Sequence, residues 1–91
     1  MSIKSIKIEH LNDAQIQEMT IKTWPIWQKE PSTFDWFYDT TEKCLLLEGE
    51  VTVQTPEGNY EIKAGDFVTF SKGLKCTWIV KKAVRKHYNF E

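Results

Sequence analysis

The sequence is poor in the side chains that bind metals and carry redox chemistry. It has only two cysteines, Cys44 and Cys76, and two histidines, His10 and His87. No CxxC pair and no cysteine–histidine cluster of zinc-finger spacing occurs, so that class of structural metal site is excluded. Two unclustered cysteines read as reduced thiols, which points to a cytoplasmic location. No segment reads as a signal peptide, and no apolar run approaches the roughly 18 residues of a membrane helix. A membrane partner is therefore not expected. Charge of one sign is also missing: the formal net charge is −1, which argues against a general nucleic-acid binder. One local excess stands out, six Lys or Arg and no acid between Lys72 and Lys86. It reads as a solvated strand edge guarded by lysines, with a phosphate-binding strip as the alternative.

What is present is a β-rich pattern with large rings. The chain has 91 residues, enough for one lean core, and four tryptophans, which must fill that core, line a pocket or sit at an interface. Ile3 to Leu11 alternates weakly and suits a short strand. Asn12 followed by Gln15 has the spacing of a capping box and opens a short helix. The stretch from Thr23 to Phe34, with Pro25 and Pro31, reads as extended or irregular, pinned by Trp24 and Trp27. From Thr33 onward strands follow one another: "FDWFY", then "EKCLLLEG" ending at a turn on Gly49, "EVTVQT", a hairpin around Pro56 and Gly58, "YEIKAG", "DFVTF", a turn at Gly73, and finally "CTWIV" and "VRKHYNF". Short strands at this spacing predict an all-β sandwich or barrel. In the run of Cys44 to Leu47, both faces are apolar. One face suits the barrel interior, and the other needs the N-terminal segment, a second sheet or another subunit, so a homodimer is expected.

Glu42 and, seven residues on, Gly49 resemble the second half of the first cupin motif. "GDFVTFSKGLKC", from Gly65 to Cys76, resembles the second. The whole chain is similar to small single-domain cupins of the (S)-ureidoglycine aminohydrolase and ethanolamine-utilisation protein Q-like group. The resemblance implies a cupin jelly-roll barrel with a short N-terminal helix, a single domain over 1–91. Residues 1–32 would form the N-terminal strand, helix and extended segment, and 33–91 the barrel strands. It also implies which positions would hold a metal, and there the sequence departs. Trp36 and Tyr38 stand at the positions of two histidines, and Cys76 at that of a third. Only Glu42 is retained. An indole N–H donates and cannot ligate, so no metal and no cofactor is expected, and the metal-dependent aminohydrolase activity is not carried over.

These residues define the expected site. Trp36, Tyr38 and Trp78 would wall a barrel mouth with Glu42 and Cys76 at its base, binding an unidentified small molecule without a metal. Glu42 is a candidate general acid or base, and Cys76 a candidate nucleophile beside the simpler reading of a small buried residue. Cys44 reads as core. An enzyme acting on a small polar metabolite through Glu42, as an isomerase, lyase or hydrolase, is the alternative function, and a protein-interaction module a further one.

Overall fold

The computed structural model describes residues 5–90 of the chain. Seven strands and one short helix follow in the order β1 (Ile6–His10), α1 (Asp13–Glu18), a single 3-10 turn (Ile21–Thr23), β2 (Ile26–Lys29), β3 (Ser32–Phe37), β4 (Glu42–Thr55), β5 (Gly58–Lys63), β6 (Asp66–Phe70) and β7 (Lys75–Phe90). All strand pairs are antiparallel. This is the all-β jelly roll with a short N-terminal helix that the sequence predicts. Two residues of the expected first strand, Ile3 and Lys4, lie outside the described residues.

The spine of the sheet is the pair β4 and β7, two long strands hydrogen-bonded along most of their length. On its other edge β4 pairs with β6 over its first residues and with β5 beyond Gly49. The far edge of β7 is likewise shared, by β3 against Lys75–Val80 and by β2 against Val84–His87. β1 adds to the free edge of β6. Each long strand thus serves two neighbours in succession, which folds one sheet around a single interior.

Two sequence expectations are corrected here. Gly49 ends no strand: β4 runs through it, and "CTWIV" and "VRKHYNF" are likewise one strand. The β4–β7 register shifts between Leu46 and Val51, the signature of a bulge. Before it Glu42, Cys44 and Leu46 face the interior; after it Val51 and Val53 do. Across these shifts the inward parity of β4 changes from even to odd, so Glu48 and Glu50 point to solvent instead of into the core. Gly49 has φ +104, and its backbone rests on β7 so closely that a Cβ there would come within 2.5 Å of the Ala83 carbonyl oxygen. Residues 23–34, expected to be extended or irregular, hold an extended strand. Ile26–Lys29 pairs in register with β7, because the prolines flank that segment and leave its own N–H groups available.

The capping box forms as read. The Asn12 side chain accepts from the Gln15 N–H at 2.8 Å, and the Asn12 N–H donates to the Gln15 side chain at 2.9 Å. The helix is held to the body by a small outer core in which Leu45, Phe67 and Ile21 are buried beneath Ile16, Met19 and Trp24. The outer apolar face of β4 is therefore packed against the N-terminal segment of the same chain.

The basic run is also placed differently from a guarded edge. β7 lies between β4 on one side and β2 and β3 on the other. Three of its cations face acids on β4 and, beyond it, β5: Lys82 with Glu50 at 3.7 Å, Arg85 with Glu48 at 3.8 Å and Lys81 with Glu61 at 3.2 Å. These exposed pairs contribute little stability, but each gives its cation an acid partner. Among the described residues no helix is long and apolar enough to cross a membrane.

Candidate functional site

One end of the interior opens into a cavity of about 220 Å³. Its walls come from four elements. β2 supplies Trp27, β3 supplies Phe34 and Trp36, and Tyr38 follows directly after β3. β7 contributes Trp78, Lys86, Tyr88 and Phe90, and β4 contributes Glu42. Strand register explains the grouping. Phe34 lies opposite Trp78, Trp27 opposite Lys86, and Glu42 between Phe70 on one side and Phe90 on the other. Directly opposed residues of an antiparallel pair share a face, so one inward row from each strand meets here.

The rings pack on one another. Tyr38 stacks on Phe70 at 4.8 Å between centroids and 5° between planes. Trp78 stacks with Phe34 at 6.2 Å and meets Trp27 edge-on at 5.9 Å. Phe70 is fully buried, and burial of a side chain of that size contributes about 1.5–3 kcal/mol. Trp36 meets Tyr38 edge-on at 6.4 Å, yet 47% of it stays exposed, so it forms the lip of the cavity and carries little of the core.

At the floor lies a buried ion pair. Lys86 Nζ donates to Glu42 Oε2 at 3.0 Å, and the two side chains are only 6% and 4% exposed. The ammonium also lies over rings, 4.6 Å from the centre of Trp78, 5.0 Å from Trp27 and 5.9 Å from Phe70. A desolvated cation over an aromatic face gains on the order of 2 kcal/mol, and the carboxylate supplies the opposite charge. Each ion is thereby compensated inside a low-dielectric space. Glu42 keeps Oε1 without a hydrogen-bond partner among the described residues.

Other polar groups at the floor are held neutral or left unpaired. Burial, with the Glu42 charge nearby, pushes the Tyr38 phenol far above its usual range, so it stays a hydroxyl. The buried Trp78 indole N–H has no hydrogen-bond partner among the described residues.

Of the residues singled out from sequence, Trp36, Tyr38, Glu42 and Trp78 line this cavity together. Cys76 does not. It opens on a shallower groove beyond Trp36, and its thiol donates to the Trp36 carbonyl oxygen at 3.7 Å. Burial pushes the Cys76 thiol up to about 11, and the Cys44 thiol, deep in the core, up to about 12. The Lys86 charge favours both thiolates, but burial outweighs it, so neither is an activated nucleophile. His87 points away from the cavity, its Nδ1 3.0 Å from the Trp24 carbonyl oxygen on the outer face. Trp24 anchors the N-terminal segment as expected, packing on Phe67. Trp27, expected to do the same, instead forms a cavity wall. Lys86 was masked in sequence by the basic run around it. The readable signal was parity: Cys76, Trp78, Val80, Val84 and Lys86 all fall on the inward face of one strand.

The residues at the floor do not fit a transition metal. A metal site needs several lone-pair donors in a fixed array, and the cavity offers one carboxylate whose oxygen is already bonded to an ammonium. Among the described residues no three of His, Cys, Asp and Glu gather to hold an ion.

Known proteins place this geometry in a family. Residues 17–88 match the EutQ-like cupin domain. The structure resembles the crystal structure of a DUF861 family protein from Thermotoga maritima, with a TM-score of 0.92 and 52% identity, covering 94% of this chain and 99% of that one. A DUF861 protein of unknown function from Pseudomonas syringae gives a TM-score of 0.66 at 26% identity, over 72% of this chain and 29% of that one. The EutQ protein of Clostridium difficile shares the fold, with a TM-score of 0.67 at 17% identity, over 93% of this chain and 66% of that one. No functionally curated protein matches the sequence. With most of its length matched by the family model and a solved relative alike over nearly the whole chain, the protein belongs to the EutQ-like cupin domain family.

Proposed function

We propose that this protein binds a small organic molecule in the barrel mouth without a metal, and that the ligand is electrically neutral. The observation that carries the reading is the buried Glu42–Lys86 pair under aromatic walls. The pair is already charge-balanced. A ligand bringing net charge into the cavity would need a counter-charge that the walls do not supply. A neutral hydroxyl or carbonyl group fits better. It can accept from the Lys86 ammonium, and a hydroxyl can also donate to Glu42 Oε1. The flat, exposed ring of Trp36 at the lip suits the face of a compact cyclic body, and about 220 Å³ suits a molecule the size of a monosaccharide or small lactone. The two buried thiols favour a reducing, cytoplasmic setting.

The test is a titration by ligand-observed NMR of pentoses, hexoses, cyclic polyols and lactones, alongside their carboxylated and aminated analogues. Neutral members are expected to bind and charged ones to bind at least tenfold more weakly. Trp36→Ala should weaken binding by about tenfold, the loss of one stacking contact, and leave the unfolding midpoint nearly unchanged because the ring sits at the lip. Charged analogues binding as well as neutral ones, or a Trp36→Ala variant of unchanged affinity, would remove this reading.

A second reading is favoured by the unbonded Glu42 Oε1. A carboxylate oxygen free in a water-poor cavity can move a proton to or from a bound ligand. If Glu42 is a general acid or base, Glu42→Gln is expected to abolish turnover of a bound metabolite at similar affinity. Turnover that survives the substitution would leave only the binding role.

A further inference from the structure

The surroundings of Lys86 are those of a receptor for an organic cation. Three ring faces, Trp78, Trp27 and Phe70, lie 4.6, 5.0 and 5.9 Å from its nitrogen, and one carboxylate oxygen lies at 3.0 Å. An ammonium over aromatic faces is held by the ring quadrupoles, and an anion beside it adds the opposite charge. The rings are contributed by three strands, β7, β2 and β6, and the carboxylate by a fourth, β4. The cage is therefore a property of the barrel, and the lysine stem only delivers its occupant.

We infer that the barrel contains a binding site for a primary ammonium ion, built from Trp27, Phe70, Trp78 and Glu42, and that the chain fills this site with its own Lys86. The site is self-liganded. This also accounts for the poor fit to a metal: the positive charge that would sit beside Glu42 is supplied covalently, by a group that cannot dissociate. The inference does not depend on which neutral ligand the outer cavity takes.

The site becomes visible when the tethered occupant is removed. Lys86→Ala deletes three methylenes and the ammonium, the atoms of n-propylammonium. Thermal unfolding of this variant is followed against n-propylammonium chloride, with n-propanol and sodium chloride at matched concentration. The expected result is a saturable rise in midpoint with n-propylammonium, no comparable rise with n-propanol or sodium, and no rise for the native protein, whose site is full. Adding Glu42→Gln to Lys86→Ala should weaken the response at least tenfold. Equal rescue by n-propanol would mean that the slot rewards volume and not charge, and would overturn the inference, as would no rescue at all. If Lys86→Ala does not fold, refolding yield replaces the midpoint. Recovery in n-propylammonium alone supports the site, and recovery in neither solute, or equally in both, rejects it.

Discussion

Replacing Lys86 by methionine should lower the unfolding free energy by about 3–5 kcal/mol, although methionine is apolar and fills much the same space. The reason is the partner left behind. Glu42 is 3% exposed, and Lys86 is its only hydrogen-bonding cation among the described residues. Removing one member of a buried pair strands the other charge in a medium that cannot solvate it. The cost should therefore be conditional on Glu42. In the double variant Lys86→Met, Glu42→Gln no charge remains, and most of the loss should return. Urea denaturation of the four proteins in this cycle measures the coupling. Additive effects, with the double variant no better than Lys86→Met alone, would show that the two groups do not compensate each other.

A glycine to alanine change at position 49 should cost about 2–6 kcal/mol, large for one methyl group. Two penalties coincide there. The backbone has φ +104, a region that disfavours any L side chain by about 1–3 kcal/mol. The new Cβ would also lie 2.5 Å from the Ala83 carbonyl oxygen, 2.8 Å from Val84 Cα and 2.9 Å from the Lys82 carbonyl oxygen. Those atoms belong to the backbone of β7 and cannot step aside cheaply, which adds about 1–3 kcal/mol of overpacking. Gly58 provides the control. It too has positive φ, +135, but a Cβ there meets nothing within 4 Å. Gly58→Ala should bear only the backbone penalty. Equal losses at the two positions would show that contact with β7 contributes nothing.

Much of the fold was legible because its signals are local. The Asn12–Gln15 capping box, the β-forming runs and the Pro56–Gly58 hairpin each depend on a few adjacent residues. Four wall residues, Trp36, Tyr38, Glu42 and Trp78, were also within reach, since the motif spacing fixes where each stands along its strand. What escaped depends on continuity between distant positions. Gly49 read as a turn because a glycine with positive φ serves a turn and a bulge equally well. Only the pairing of both halves of β4 with the same β7 distinguishes them. Lys86 escaped for a related reason. With β7 split into two strands, the parity linking Trp78 to Lys86 is lost, and a lysine among exposed lysines reads as surface. Trp27 followed Lys86 out of view, since it lies on the strand paired directly with that residue.

The position of β7 has a consequence for the order of assembly. β2, β3 and β4 all precede it in sequence, and each completes its ladder only against it. Until β7 is synthesised and docked, β4 has one unpaired edge, and the carboxylate of Glu42 has no ammonium beside it. Such non-local pairing makes for slow, late-closing folding, and it exposes a long apolar strand while the chain waits. The hairpin of β4 and β5, with β6 and β1 added beside the first half of β4, can form before then. Substitutions that weaken the docking of β7 should therefore slow folding and raise losses to aggregation during synthesis, beyond what the stability of the finished barrel would suggest.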